Sequence, residues 1–172
     1  MRKFLPLSLI LASAVSGSAF AADATLNFTG TILPPSCTVD SSTANQTINL
    51  GSAPIINFAA VGSTGNPQGF SLNLINCDAG ANVTMTVSGT MDTVSSVLQN
   101  TGTATQIGVQ LLRASSVGAT VGTPLVLNTA IALGTVGSSN TMTVPMVAQF
   151  YRLGTMTAGT VAATATVNFT YN

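Results

Sequence analysis

Apolar and polar side chains alternate with period two along most of the chain beyond residue 21, and no stretch there keeps apolar residues at helical spacing between caps. The alternation predicts strands over residues 26–33, 38–40, 47–50, 70–76, 83–87, 107–112, 125–127, 142–151 and 161–171. Turn-rich segments, among them 62–69 and 134–140, separate these strands. Many short strands without an intervening helix predict an all-β sandwich rather than a parallel α/β sheet. Pro145 interrupts the run Met142, Val144, Met146, Ala148, Phe150, which predicts an edge or bulged stretch at that point.

Two of these strands stand apart. In the last one, Val161, Ala163, Ala165, Val167, Phe169 and Tyr171 share one face, Ala162, Thr164, Thr166, Asn168 and Thr170 share the other, and the pattern runs to within one residue of Asn172. Terminal residues of a domain usually fray, so this pattern predicts that the end of the strand is held by something. In the first, Leu26, Phe28, Gly30 and Ile32 alternate with Asn27, Thr29 and Thr31. Either could be an ordinary terminal strand paired inside its own sheet. Two features of the first argue otherwise: Pro34-Pro35 stiffens the chain just after it, favouring projection over folding back. Gly30 leaves a gap in its apolar face, as a strand admitted to a groove beside bulky side chains would need.

The first 21 residues differ from the rest. Arg2 and Lys3, an apolar stretch over 5–15 and the small-x-small sequence Ala19-Phe20-Ala21 form a secretory signal, so the mature protein is expected to begin at Ala22. The apolar stretch is shorter than the ~20 residues that span a bilayer. About 150 residues remain, enough for one domain. Cys37 and Cys77, two cysteines in an exported chain, predict one disulfide formed in an oxidising compartment such as the bacterial periplasm. Closing that loop would stabilise the fold by roughly 4 kcal/mol on a chain-entropy argument.

Charge narrows the possible functions. Beyond the signal the ionisable side chains are Asp23, Asp40, Asp78, Asp92, Arg113, Arg152 and the tyrosines, besides the two cysteines, with no Lys, Glu or His. Such a surface offers little to neutralise phosphates, which argues against nucleic acid and anionic membranes as partners. Nucleophilic catalysis lacks its usual His base. The four scattered aspartates lack the aromatic platform of a glycosidase. The glycine-rich 62–69 stretch has no Lys after it and reads as a turn. Two free thiols in metal or redox chemistry would need a further Cys or His nearby. An enzyme, a metal site and a cofactor are therefore not expected. Asn27, Asn45, Asn82 and Asn168 head glycosylation-type sequons that composition alone explains. Arg113 and Arg152 read as a solvated charge and a local ion pair.

Several stretches together resemble the major-subunit family of type 1-like chaperone–usher fimbriae (pili). They are Phe28-Thr29-Gly30-Thr31-Ile32 before Cys37-Thr38-Val39-Asp40, Gln46-Thr47-Ile48-Asn49-Leu50-Gly51, and Gly69-Phe70-Ser71-Leu72 leading to Cys77. Gly108-Val109-Gln110-Leu111-Leu112, Val144-Pro145-Met146-Val147-Ala148-Gln149-Phe150-Tyr151, Ala158-Gly159 and the closing Ala165-Thr166-Val167-Asn168-Phe169-Thr170-Tyr171-Asn172 continue the likeness. The resemblance implies an immunoglobulin-like β-sandwich lacking its final strand, completed by donor-strand complementation. It divides the chain into a signal (1–21), a donor-strand extension (22–35) and an incomplete pilin domain (36–172). It implies a donor strand carrying Leu26, Phe28, Gly30 and Ile32, and an acceptor groove and chaperone-binding strand carrying Gly159, Val161, Ala163, Ala165, Val167, Phe169 and Tyr171.

The implied partners are neighbouring subunits in a head-to-tail homopolymer, a periplasmic chaperone and an outer-membrane usher. The implied location is a fimbrium on the bacterial surface, reached through the periplasm, with no transmembrane segment in the mature chain. Surface Lys, frequent in that family, is missing here, which bears on the surface chemistry of a fibre and not on strand exchange. The alternatives are a minor adaptor or adhesive subunit of the same fimbria, and a self-contained secreted β-sandwich binding module in which 26–32 pairs within its own domain.

Overall fold

A computed structural model describes residues 25–172; the signal sequence and Asp23 lie outside the described residues. The chain divides into two compact units, Met1–Ile32 and Leu33–Asn172. Of the first, residues 25–32 are described; they form no strand, and Leu26, Phe28 and Ile32 are 74, 89 and 99% exposed.

The second unit is a sandwich of two antiparallel sheets. Its strands are β1 (Thr38–Val39), β2 (Thr64–Ile75), β3 (Asn82–Ser88), β4 (Val97–Leu98), β5 (Thr105–Arg113), β6 (Thr123–Pro124), β7 (Ala130–Thr135), β8 (Met142–Thr157) and β9 (Thr166–Tyr171). One sheet has the order β1-β2-β8-β5-β4 with β6 beside β5, and the other β7-β3-β9. Alternate residues of both sheets meet in one core: Leu72 of β2, Met85 and Val87 of β3, Leu111 of β5, and Val144, Met146 and Ala148 of β8 are all buried. Cys37 and Cys77 form the expected disulfide, with Cα atoms 4.1 Å apart. It ties β1 to the end of β2.

The predicted elements shift where a neighbour, rather than the local pattern, decides. Residues 47–50 form no strand, although Ile48 and Leu50 keep the predicted alternation as half-buried side chains. Residues 64–69, expected in a turn, begin β2, and a bulge between Gly65 and Gln68 absorbs the irregular sequence. Leu125 and Leu127 are buried but follow the short β6 instead of forming a strand; their N–H groups donate to Leu111 and Ser95 carbonyls at 2.9 and 2.8 Å. Gly134 and Thr135, also expected in a turn, finish β7. One helical turn, α1 (Ser41–Ala44), is capped by Asp40, which accepts from Ser42 N–H at 2.9 Å.

Pro145 corrects the edge reading. It lies in β8 between β2 and β5, with unbroken register opposite Ser71. Its carbonyl accepts from Ala114 N–H, just past the end of β5. A residue of an antiparallel strand points N–H and C=O to the same side, so the missing N–H costs little where β5 leaves the ladder. Arg152 corrects the ion-pair reading: it donates to the carbonyls of Gly154 at 2.8 Å and Phe58 at 2.6 Å.

Candidate strand-acceptor edge

β9 is an edge strand whose only ladder partner among the described residues is β3, in the register Val83↔Tyr171 to Ser88↔Thr166. Asn82 and Asn172 exchange both backbone hydrogen bonds, at 2.8 and 3.0 Å. Hydrogen-bonded pairs recur every second residue in an antiparallel ladder. The even residues Thr166, Asn168 and Thr170 therefore aim their N–H and C=O at β3, and the odd residues Val167, Phe169 and Tyr171 aim theirs at the open edge. Their side chains turn inward: they are half-buried, while those of the even residues are exposed.

The expected apolar face is thus present, but incompletely covered. Val83, Met85 and Val87 on the adjacent β3 are no more than 1% exposed. The difference is what a missing neighbour leaves. Upstream, Val161, Ala163 and Ala165 continue the alternation without strand pairing, and residues 160–162 are fixed to a loop on one side. Ala162 N–H donates to Asn100 Oδ1 and Thr101 N–H to the Ala162 carbonyl, both at 2.8 Å. Gly159 is required by that fixing: a Cβ there would lie 2.5 Å from Ala104 N and 2.6 Å from Thr103 Oγ1. Its role is close backbone packing rather than a contact on the open face.

The half-covered face spans the sandwich. Phe169 and Tyr171 pack on the cluster of Leu74, Cys77 and Val83 at the disulfide end. Ala163, Ala165 and Val167 pack on the central core. Val161 packs on the cluster of Phe58, Ile107 and Phe150 at the far end. Burial raises the Tyr171 hydroxyl above its usual value of 10.0. Ile48 and Leu50 pack on the same central core from the unpaired stretch 46–50. They pack on this core yet lay outside the predicted groove set; their alternation was visible, and the absence of a pairing partner was not. The predicted donor residues carry no strand, and a Cβ at Gly30 would meet nothing within 4 Å.

Residues 26–172 match the family described as Fimbrial protein. The chain belongs to that family. It is 30% identical over 174 residues to the type-1 fimbrial protein subunit of Serratia marcescens, covering 97% of each chain, and 31% identical over 183 residues to the type-1 fimbrial protein C chain of Escherichia coli, covering 99% of this chain and 96% of that one. A subunit from the structure of a chaperone–usher pilus, solved in connection with rod uncoiling, superposes with a TM-score of 0.66 at 18% identity, over 91% of this chain and 100% of that one. The fold is accordingly the immunoglobulin-like pilin sandwich. This fimbrial subunit is a type 1-like structural component of bacterial surface fibres.

Proposed function

We propose that this fimbrial subunit polymerises by donor-strand exchange, the extension 22–33 of one copy completing the open sheet of the next. The observation that carries this reading is the double deficit of β9: the same odd residues present half-buried side chains and outward-facing backbone groups. One apolar strand meets both needs. The extension supplies a matching one, with Leu26, Phe28 and Ile32 exposed and Gly30 between them. Strand addition of this kind is an established mode of recognition for pilins. Adjacent strands in an immunoglobulin-like sheet alternate in direction, so the donor runs antiparallel to β9 and leaves the groove near Val161.

Each of the three apolar donor side chains contributes about 1.5–3 kcal/mol on burial. The backbone bonds of Val167, Phe169 and Tyr171 contribute further, at about 0.5–1.5 kcal/mol each. Against a domain stability of about 5–15 kcal/mol, an empty groove leaves the subunit prone to aggregate through its edge. A periplasmic chaperone occupies that edge until an outer-membrane usher exchanges it for the next subunit.

The test is thermal unfolding of the disulfide-intact chain lacking residues 22–33, with and without a peptide spanning 23–35. A concentration-dependent rise in Tm, lost when Gly30 of the peptide is replaced by Leu, supports the groove. A folded chain that does not respond refutes it.

A further inference from the structure

Residues 54–61 form an exposed apolar loop, with five of its eight residues Ile, Ala or Val. Pro54, Ile55, Ile56, Ala59, Ala60 and Val61 are all exposed, Ile56 at 87% and Val61 at 64%, and the loop carries no charged residue. It is nevertheless held firmly. Phe58 is 2% exposed, stacks edge-on against Phe150 with ring centroids 6.4 Å apart, and gives its carbonyl to Arg152. An anchored loop that shows its apolar side chains to water is suited to an interface.

Its position relative to the open edge identifies the occupant. Phe58 shares a cluster with Leu50 and Val161, so the loop stands at the end of the groove from which an antiparallel donor emerges. Ile32 stands only five positions before Cys37, which the disulfide fixes to the donor's own sandwich. At most ~3.3–3.6 Å per residue, the donor's body is held within about 18 Å of that groove end. The residues bridging the gap are Leu33-Pro34-Pro35, apolar and stiff, with Leu33 79% exposed in its own chain.

We propose that the loop 54–61 seats the Leu33-Pro34-Pro35 linker of the adjoining copy of this chain, fixing the angle at each joint of the fibre. This rests on the donor-strand reading and adds to it a second contact between successive subunits, outside the groove.

The test uses fibres assembled from full-length chain carrying Leu33→Cys with Ile56→Cys, treated with a short bismaleimide and run on denaturing gels. A ladder of covalent multimers is expected, with only monomer from fibres carrying Leu33→Cys and Val121→Cys, Val121 also being solvent-exposed, at 75%, on another loop. Val61→Cys replaces Ile56→Cys should the latter assemble no fibre. Fibres that form but give no ladder, or that link equally through Val121, overturn the seat and leave the groove untouched. A Phe28→Ser chain that still builds normal fibres overturns the donor-strand reading, and the seat with it.

Discussion

Phe28→Ala should separate the stability of the subunit from that of the fibre. Phe28 is 89% exposed in the chain, and a surface substitution of this kind changes folding stability by no more than about 0.5 kcal/mol. The donor-strand proposal encloses the ring in the filled groove, and truncating an enclosed Phe to Ala costs about 3–5 kcal/mol. At about 1.4 kcal/mol per tenfold, every joint in the fibre weakens by roughly a hundredfold to several thousandfold. The assay compares two guanidinium titrations, one following fibre dissociation by light scattering and one following unfolding of the monomer by circular dichroism. Dissociation should move to much lower denaturant while the unfolding midpoint stays in place. Fibres that dissociate at the wild-type concentration would refute the burial argument. A monomer destabilised by several kcal/mol would place Phe28 inside its own domain, as a self-contained sandwich requires.

Gly30→Leu, which meets open space in the single chain, should leave subunit folding and chaperone binding intact while abolishing fibres counted by electron microscopy; normal fibres would show that the groove tolerates bulk at that position. Gly159→Ala should destabilise the monomer by about 1–3 kcal/mol through overpacking against Thr103 and Ala104, read as a lower urea midpoint, and an unchanged midpoint would mean that the 160–162 segment is not fixed as described. Stability should be flat between about pH 5 and 9 and fall outside that window. Asp40, held below 3.8 by the Ser42 N–H and hydroxyl, stabilises above its unfolded pKa and loses that contribution as pH falls through its lower folded value. Tyr171, raised above 10.0 by burial, contributes fully below 10.0 and loses its contribution as pH rises through its folded value. A midpoint that shifts between pH 6 and 8, measured by chemical denaturation, would contradict this assignment of the titrating groups.

The alternation of 161–171 foretold which side chains of the closing segment face inward, because a period-two pattern is local and survives whether or not a neighbour pairs with the strand. Strand status itself is not local. Residues 47–50 and 161–165 carry the alternation and yet form no ladder, because a ladder needs a second chain segment at the right place. β7 was hidden for a different reason: Ala130, Ala132 and Gly134 line its exposed face, and such small residues give little strand signal beside Ile131 and Leu133, while Gly134 opened the expected turn. Gln110 and Gln149 are polar residues within β5 and β8, yet both are buried. Gln149 Nε2 donates to Gln110 Oε1 at 2.8 Å and Gln110 Nε2 to Ser96 Oγ at 2.9 Å. The covering residue, Ser96, lies 14 positions from Gln110, beyond any local pattern.

The openness of β9 gains its meaning from the other edges of the same two sheets. β1 and β4 are two residues long, too short to template another strand. β7 carries an extra residue opposite the Val83–Thr84 step, and Arg113 donates to its Ala132 carbonyl at 3.1 Å. The stretch of β2 beyond β1 has its own bulge at Gly65–Gln68, a proline at 67, and Gln46 on the Ser71 carbonyl at 2.8 Å. Shortness, bulges, proline and side-chain caps are the devices by which sheets avoid joining edge to edge, and every edge but one has at least one of them. β9 has six regularly paired residues, no bulge in its ladder and no proline. A fold that was simply incomplete would expose edges indiscriminately. Among the described residues this one leaves a single undefended edge, and on the donor-strand proposal a strand arriving from another copy has one place to bind and one direction in which to run. Under that proposal donor and acceptor are different parts of the chain, so the contact is heterologous, and repeated without closure it extends as a filament.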